Sequence, residues 1–246
     1  MEYLIIFLIG FAASFCGSFV GGIVSVLGIA ALIMVGMPPH AALGTVAFIF
    51  FGFDAGGLLQ YHRNQKVVWR YVWPLVLVVV PSSIVGSLLV LSVEPELVAT
   101  LVGLAMLMFI PLTFLKPDLG LVRETVSKSR ERFGYIVNAL ISTYGASIAI
   151  GAGFFWNYAL MYFFGLKLIE SRATLKIPSF SLSVTKLVVF GASGAIVWQY
   201  GPLLFAGSFL GAYVGTRYSI ALGDLWLRRI LLVVIAIMAL KLVLGY

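Results

Sequence analysis

The sequence predicts an all-α membrane protein built as an inverted repeat of two halves. Each half would be a re-entrant half-helix hairpin followed by three transmembrane helices. Three observations carry this expectation: an apolar composition, an internal repetition at a constant offset of 129 positions, and a lopsided distribution of basic residues. The chain has 246 residues, of which 62% are hydrophobic and only 10% charged. A soluble domain carries about a quarter of its residues as charged types, so lipid must be the outer solvent here. The apolar runs lack the alternation of strands, which leaves helices to satisfy the backbone within the bilayer.

The repetition is ungapped. Val68-Trp69-Arg70-Tyr71 returns as Val197-Trp198-Gln199-Tyr200. Ser18, Gly22, Gly36, Thr45, Phe51, Val85 and Gly86 return as Ser147, Gly151, Gly165, Thr174, Phe180, Val214 and Gly215. A duplicated apolar chain is the pattern of a secondary transporter, with its site between the halves.

The apolar runs cover 3–37, 41–61, 71–93, 97–115, 134–166, 173–195, 200–221 and 226–245. A spanning helix needs roughly 20 residues, so most runs suit a single crossing. The opening stretch, 1–16, has its first charge at Glu2 and lacks a basic start and a small-residue cleavage site, unlike a signal peptide. Runs 3–37 and 134–166 are too long for one ordinary span and are interrupted by Gly17, Gly21, Gly22 and Gly28, and by Gly145, Gly151 and Gly153. Either they are long kinked helices or they are hairpins, a question that charge decides.

Lys and Arg gather on the cytoplasmic side of membrane proteins. One cluster is Arg63, Lys66 and Arg70. A second is Lys116, Arg123, Lys128, Arg130 and Arg132, and a third is Arg217, Arg228 and Arg229. If every run crossed once, the third cluster, with Lys167 and Arg172, would lie outside. If the first run of each half is a re-entrant hairpin, thirteen of the sixteen Lys and Arg become cytoplasmic. The Glu94/Glu96 turn and the uncharged Val197–Gly201 turn then face outward. This places the first repeat at 1–115, a cytoplasmic linker at 116–133 and the second, inverted repeat at 134–246. Both termini would be outside, in a bacterial-type inner membrane. The formal charge of +7 then reflects orientation, not nucleic-acid binding.

The candidate site lies where the hairpin tips, Gly17–Gly22 and Gly145–Gly151, meet near the midplane. Glycine permits close backbone approach, and the helix that follows each tip would aim its positive N-terminus at the centre, an arrangement that favours an anion. Substrate-binding candidates are therefore Ser18, Gly21, Gly22, Ser147 and Gly151. These small residues can equally serve helix packing. Leaving aside Lys241 near the C-terminus, three ionisable residues sit inside spans: Asp54, Lys176 and Lys186. A charge at mid-membrane costs at least about 2.5–3.5 kcal/mol on insertion scales, so it marks a cavity or a partner. Lys186 is read as a substrate ligand, with an Asp54 ion pair or snorkelling as alternatives. Lys176 is expected to snorkel but remains a binding candidate, near a Pro178 that would break its helix. Asp54 is a counter-ion or the carrier of a coupling proton. All three have uncharged repeat counterparts, as an asymmetric ligand requires.

Trp69, Trp198, Tyr71 and Tyr200 read as interfacial anchors. His40 and His62 lack ligand-type neighbours, so neither a metal nor a cofactor is expected. Cys16 reads as a small core residue. No phosphate-binding loop and no nucleophile–base set appears, so the chain does not read as an enzyme.

Several stretches together resemble the TauE/SafE sulfite-exporter family of membrane permeases. They are the Gly-rich first hairpin, Leu32-Ile33-Met34-Val35-Gly36-Met37-Pro38-Pro39-His40-Ala41-Ala42 with Gly44-Thr45, Phe163-Phe164-Gly165-Leu166, Arg172-Ala173-Thr174, Val188-Val189-Phe190 with Gly191, Gly194 and Ala195-Ile196-Val197-Trp198, and Gly211-Ala212-Tyr213-Val214-Gly215-Thr216-Arg217. The resemblance implies export of a small sulfur-containing anion such as sulfite or an organosulfonate, driven by an ion gradient. The expected partners are that anion, a coupling proton or ion, membrane lipid and a homo-oligomeric copy. A passive anion channel of the same architecture and a non-transport assembly factor are the alternatives.

Overall fold

The computed structural model describes residues 2–20, 22–92, 119–147 and 151–244. Gly21, the Glu94/Glu96 turn, the 97–115 run and Lys116 lie outside the described residues, as does the side chain of Lys241. Every regular element described is helical. Helix α1 is Glu2–Phe19, α2 is Ile23–Met34, α3 is Pro39–Arg63 and α4 is Trp69–Ser92. In the second half, α5 is Lys128–Ser147, α6 is Ala152–Phe164, α7 is Leu168–Ala192 and α8 is Gly201–Leu244. Among the described residues, four helices are long and apolar enough to cross a bilayer: Glu2–Phe19, Ala41–Arg63, Trp69–Leu89 and Leu168–Ala192. Their outward faces carry exposed Leu8, Leu77, Leu88 and Val188, which lipid accommodates and water would not.

The long first run of each half folds as a long helix, a break and a short helix. Gly22 (φ 103) precedes α2 and Gly151 (φ 75) precedes α6, both left-handed. Only glycine takes that conformation without strain from a side chain, so the chain reverses there. The short arms have 12 and 13 residues, roughly 18–20 Å of helix, less than the ~30 Å hydrocarbon core. The long arms continue further than the glycine pattern suggests. Gly17 and Ser18 stay inside α1, and Gly145 and Ser147 inside α5. These glycines serve packing: a methyl group on Gly17 would collide with Val24, and one on Gly145 would press on Ala152 at 3.1 Å. Pro178 does not break its helix either, since α7 continues through it to Ala192. Helix α8, at 44 residues, is bent by non-helical Gly223 (φ 78, ψ 169), close to the 221/226 boundary between apolar runs.

The last described helix of each half leaves its own hairpin and packs on the other. Helix α4 lies mainly against α5 and α7, while α8 lies against α1 and α3. Small residues make the second contact tight. Gly207, Gly211 and Gly215 of α8 rest on the main-chain carbonyls of Phe7, Phe11 and Phe15, and Gly52 and Gly56 of α3 rest on those of Phe205 and Phe209. None of these glycines has room for a methyl group. Helix–helix contact in lipid is won by such close approach.

The two groups meet where α3 and α7 cross antiparallel. Three contacts mark the crossing in order. The Val197 N–H donates to Thr45 Oγ1 (3.0 Å), Phe51 stacks on Phe180 (4.5 Å between centroids), and the Val68 N–H donates to Thr174 Oγ1 (3.1 Å).

The basic clusters converge on one end of this bundle. Arg70 pairs with Glu131 (3.0 Å) and Arg130 with Glu124 (3.5 Å). The Glu124 N–H donates to Gly165 O, the Leu168 N–H to Gly120 O, and the Ile169 N–H to Asp224 Oδ1 (2.7 Å). Tyr200, at the opposite end, donates to the Glu2 carboxylate. Trp69 and Trp198 are exposed at 46% and 57%, as interfacial anchors require, whereas Tyr71 is buried in the core against Phe164.

Candidate functional site

Helix α7 supplies more polar side chains to the interior cavity than any other described helix. Arg172, Lys176, Ser179, Ser183 and Lys186 recur every three or four residues and so share one face. All five line a cavity of about 90 Å³, well above the ~10–15 Å³ that one water needs. Facing them from α3 are Phe50, Phe53, Asp54 and Tyr61. Both hairpins close the remaining sides: Gly17, Ser18, Gly22 and Val24 from the first, Gly145, Ala152, Gly153, Trp156 and Asn157 from the second. Thr216 of α8 completes the wall.

Asp54 is 1% exposed and is held by Lys176, not by Lys186. The Lys176 ammonium donates to Asp54 Oδ1 at 3.1 Å and to the Phe53 carbonyl at 3.3 Å, and lies 3.2 Å from the Phe53 ring centroid. The expectation that Lys176 snorkels is therefore corrected. At 5% exposure its chain lies against Gly57, where a side chain would obstruct it. The alternative Lys186–Asp54 pair is likewise not formed. Lys186 is 2% exposed, and among the described residues its ammonium has no hydrogen-bonding or ionic partner; it lies 5.4 Å from the centroid of the Phe190 ring. Burying an unpaired ammonium is costly, so this is the least satisfied charge of the interior.

Arg172, at 6% exposure, occupies the first turn of α7 and reaches across to the end of α1. It donates to the carbonyls of Ser18 (3.0 Å) and Phe19 (3.1 Å). Those carbonyls have no onward helical partner, and the C-terminal end of a helix dipole favours a cation. The arginine thereby ties the first hairpin to the second half, while its Nε has no hydrogen-bond partner. Two further cavity-lining groups are likewise unpaired: Asp54 Oδ2 and the Trp156 indole nitrogen. Asn157 is satisfied, donating to Gly153 O and accepting from Ser171. Ser18 donates to Ser14 O and accepts from Thr216 (3.4 Å).

Of the residues singled out in the sequence, the structure brings Ser18, Gly22, Asp54, Lys176 and Lys186 to one cavity. Ser147 is turned away from it, donating to Gly86 O and Thr143 O. Gly151 forms the turn before α6 but is not part of the lining. Arg172, Trp156, Ser179 and Thr216 join the site unannounced. The Arg172-to-Lys186 spacing was the available signal for two of them: a polar stripe of helical period within an apolar run.

Among the described residues, three cations and one carboxylate thus line a partly enclosed, largely apolar chamber. Neither short hairpin helix has a side-chain cap on its first turn, which leaves N–H dipoles available near the chamber. The arrangement suits a small anion. Comparison with known proteins agrees in kind. The family model "Sulfite exporter TauE/SafE" matches residues 6–242. The chain belongs to that family. Relatives include a "Probable membrane transporter protein" of Haemophilus influenzae, 29% identical over 97% of this chain and 93% of the relative. "Probable membrane transporter protein ORF9" of a Sinorhizobium species is 28% identical over 90% of this chain and 84% of its own. "Probable membrane transporter protein YfcA" of Escherichia coli K12 is 25% identical over 97% and 88%. No solved structure matches the chain. The TauE/SafE chain described here is a multi-pass protein of a membrane transporter family and not an enzyme.

Proposed function

We propose that this protein is a secondary exporter of a small sulfur-containing anion, of the sulfite or organosulfonate class, bound in the α3–α7 cavity. One observation carries the reading: Lys186 is a buried cation with no hydrogen-bonding or ionic partner among the described residues, in a chamber lined by both hairpins and by α3 and α7. An oxyanion satisfies that ammonium and accepts from the neighbouring N–H groups. Lys176 is already engaged by Asp54 and contributes field more than contact. Asp54 is the residue from which a coupling proton would act on this field. Ser18 and Gly22 bound the chamber, and Gly22 and Gly151 shape the two reversals.

The reading includes an inverted repeat of 1–115 and 134–246 joined by a cytoplasmic linker at 116–133, with re-entrant hairpins and external termini. Its support is isologous contact. Thr45 binds Val197 and Thr174 binds Val68, one hydrogen bond made twice between positions related by the offset of 129. Phe51 stacks on its own counterpart, Phe180. Such reciprocity is what a two-fold relation produces. Because the helices at its centre run antiparallel, the axis lies across them, in the plane of the membrane, and the halves face opposite ways. Rocking of the two helix groups about the α3–α7 crossing would then expose the chamber to each side in turn.

The test is counterflow of radiolabelled sulfite in proteoliposomes. Unlabelled sulfite loaded inside should accelerate uptake by the wild type. Lys186→Met should lose at least roughly tenfold in rate, the cost of one charge-assisted contact. Wild-type transport by a folded Lys186→Met variant overturns the assignment of the site. Uptake without acceleration by internal substrate would instead identify a channel.

A further inference from the structure

The chamber leaves unsatisfied not only cations but one acceptor. Asp54 gives Oδ1 to Lys176, and its Oδ2, though buried, accepts no hydrogen bond. Ser179 lies close enough to influence the carboxylate but does not close a hydrogen bond to that oxygen. On the donor side stand the Lys186 ammonium and the Trp156 indole N–H, a 6% exposed residue whose nitrogen also has no partner. Buried polar groups without partners are rare in folded proteins, and four that line one cavity without a partner among the described residues, Arg172 Nε included, describe the complement of a ligand.

Resting on the anion reading above, we propose that the cargo is a monoanion carrying its own hydrogen-bond donor, its oxyanion end meeting Lys186 and Trp156 and a hydroxyl or amine meeting Asp54 Oδ2. An anion with acceptors alone would satisfy Lys186 and Trp156 but would leave Asp54 Oδ2 unpaired beside further negative charge. A site that contains a buried acceptor discriminates against the analogue lacking the donor. A hydrogen bond to a charged group of this kind corresponds to roughly 10- to 100-fold in affinity.

The experiment is calorimetric titration of the full chain in lipid nanodiscs with two matched pairs of sulfonates. Methanesulfonate against aminomethanesulfonate tests an amine donor. Ethanesulfonate against 2-hydroxyethanesulfonate tests a hydroxyl. The donor-bearing member of at least one pair should bind roughly 10- to 100-fold more tightly, and which pair responds identifies the donor. Trp156→Phe should weaken both members of a pair equally. Asp54→Asn should abolish the preference within it. Equal affinity within both pairs, in the wild type, overturns the inference while leaving the anion site standing. A preference that survives in folded Asp54→Asn overturns the role of Asp54. Failure of all four sulfonates to bind overturns the inference, and the anion reading falls with it only if sulfite counterflow is also absent.

Discussion

Removing one member of the Asp54–Lys176 pair should be far more damaging than removing both. The two charges are 3.1 Å apart, with side-chain exposures of 2% and 6%. At that distance, with an effective dielectric of 20, Coulomb attraction is roughly 5 kcal/mol. Asp54→Asn alone leaves a buried ammonium without its counter-ion, and Lys176→Met alone leaves a buried carboxylate. Breaking a buried pair in this way costs about 3–5 kcal/mol. A chain of this size loses about 2–4 °C per kcal/mol, so each single variant should melt about 6–20 °C below the wild type. The double variant, with amide and thioether, buries no charge at either position and should recover at least half of that loss. The measurement is a melting curve of the four proteins in nanodiscs, read as a double-mutant cycle. Additive losses in the double variant, or a Lys176→Met protein as stable as the wild type, would refute the pairing.

The packing and the symmetry lead to further expectations. Gly211→Leu should displace α8 from α1, because the carbonyl of Phe11 occupies the space of any side chain there; a loss of about 1–3 kcal/mol would appear as a melting temperature at least several degrees lower. Thr45→Val and Thr174→Val each strand one backbone N–H, so each should cost about 1 kcal/mol, and unequal melting shifts would argue against equivalent roles. In a Cys16→Ser background, single cysteines at Pro38 and Gln199 should react with an impermeant maleimide from outside. Those at Gln65, Thr125 and Asp224 should react only from the cytoplasm, and external labelling at Asp224 would sink the inverted topology.

Much of the helical framework was legible because a bilayer demands long uninterrupted apolar runs. The runs 41–61 and 71–93 became Pro39–Arg63 and Trp69–Ser92, and 173–195 became Leu168–Ala192. What misled was local punctuation. Gly17, Gly145 and Pro178 sit inside helices, because in lipid an intact backbone ladder is worth more than the local preference of one residue. The partner of Asp54 was misjudged for a geometrical reason. Asp54 corresponds to Ser183 by the offset, a turn from Lys186, which invites pairing them at equal depth. In an antiparallel crossing, equivalent positions lie at mirrored depths. Three residues past Phe51 on α3 therefore face four residues before Phe180 on α7, which is Lys176. The role of Arg172 was hidden differently: a basic residue in the first turn of a span looks like a cytoplasmic charge until the end of α1 is brought against it.

The departures from internal symmetry gain meaning from that geometry. Reversal glycines, crossing aromatics and threonine hydrogen bonds occur twice, and they build the frame. Arg172, Lys176 and Lys186 correspond to Leu43, Ala47 and Gly57, so every cation of the chamber comes from α7 and none from α3. The one carboxylate lies opposite, on α3. Charge among the described residues therefore runs across the α3–α7 interface, from one helix to the other. Any movement that separates the groups must stretch the Asp54–Lys176 contact at their crossing. An anion that supplies negative charge near Lys186 lowers the cost of that stretch by compensating the freed ammonium. On the function proposed above, cargo binding and relative motion of the halves would be coupled through one helix face, and the asymmetry of that face would let a repeated frame carry an asymmetric ligand.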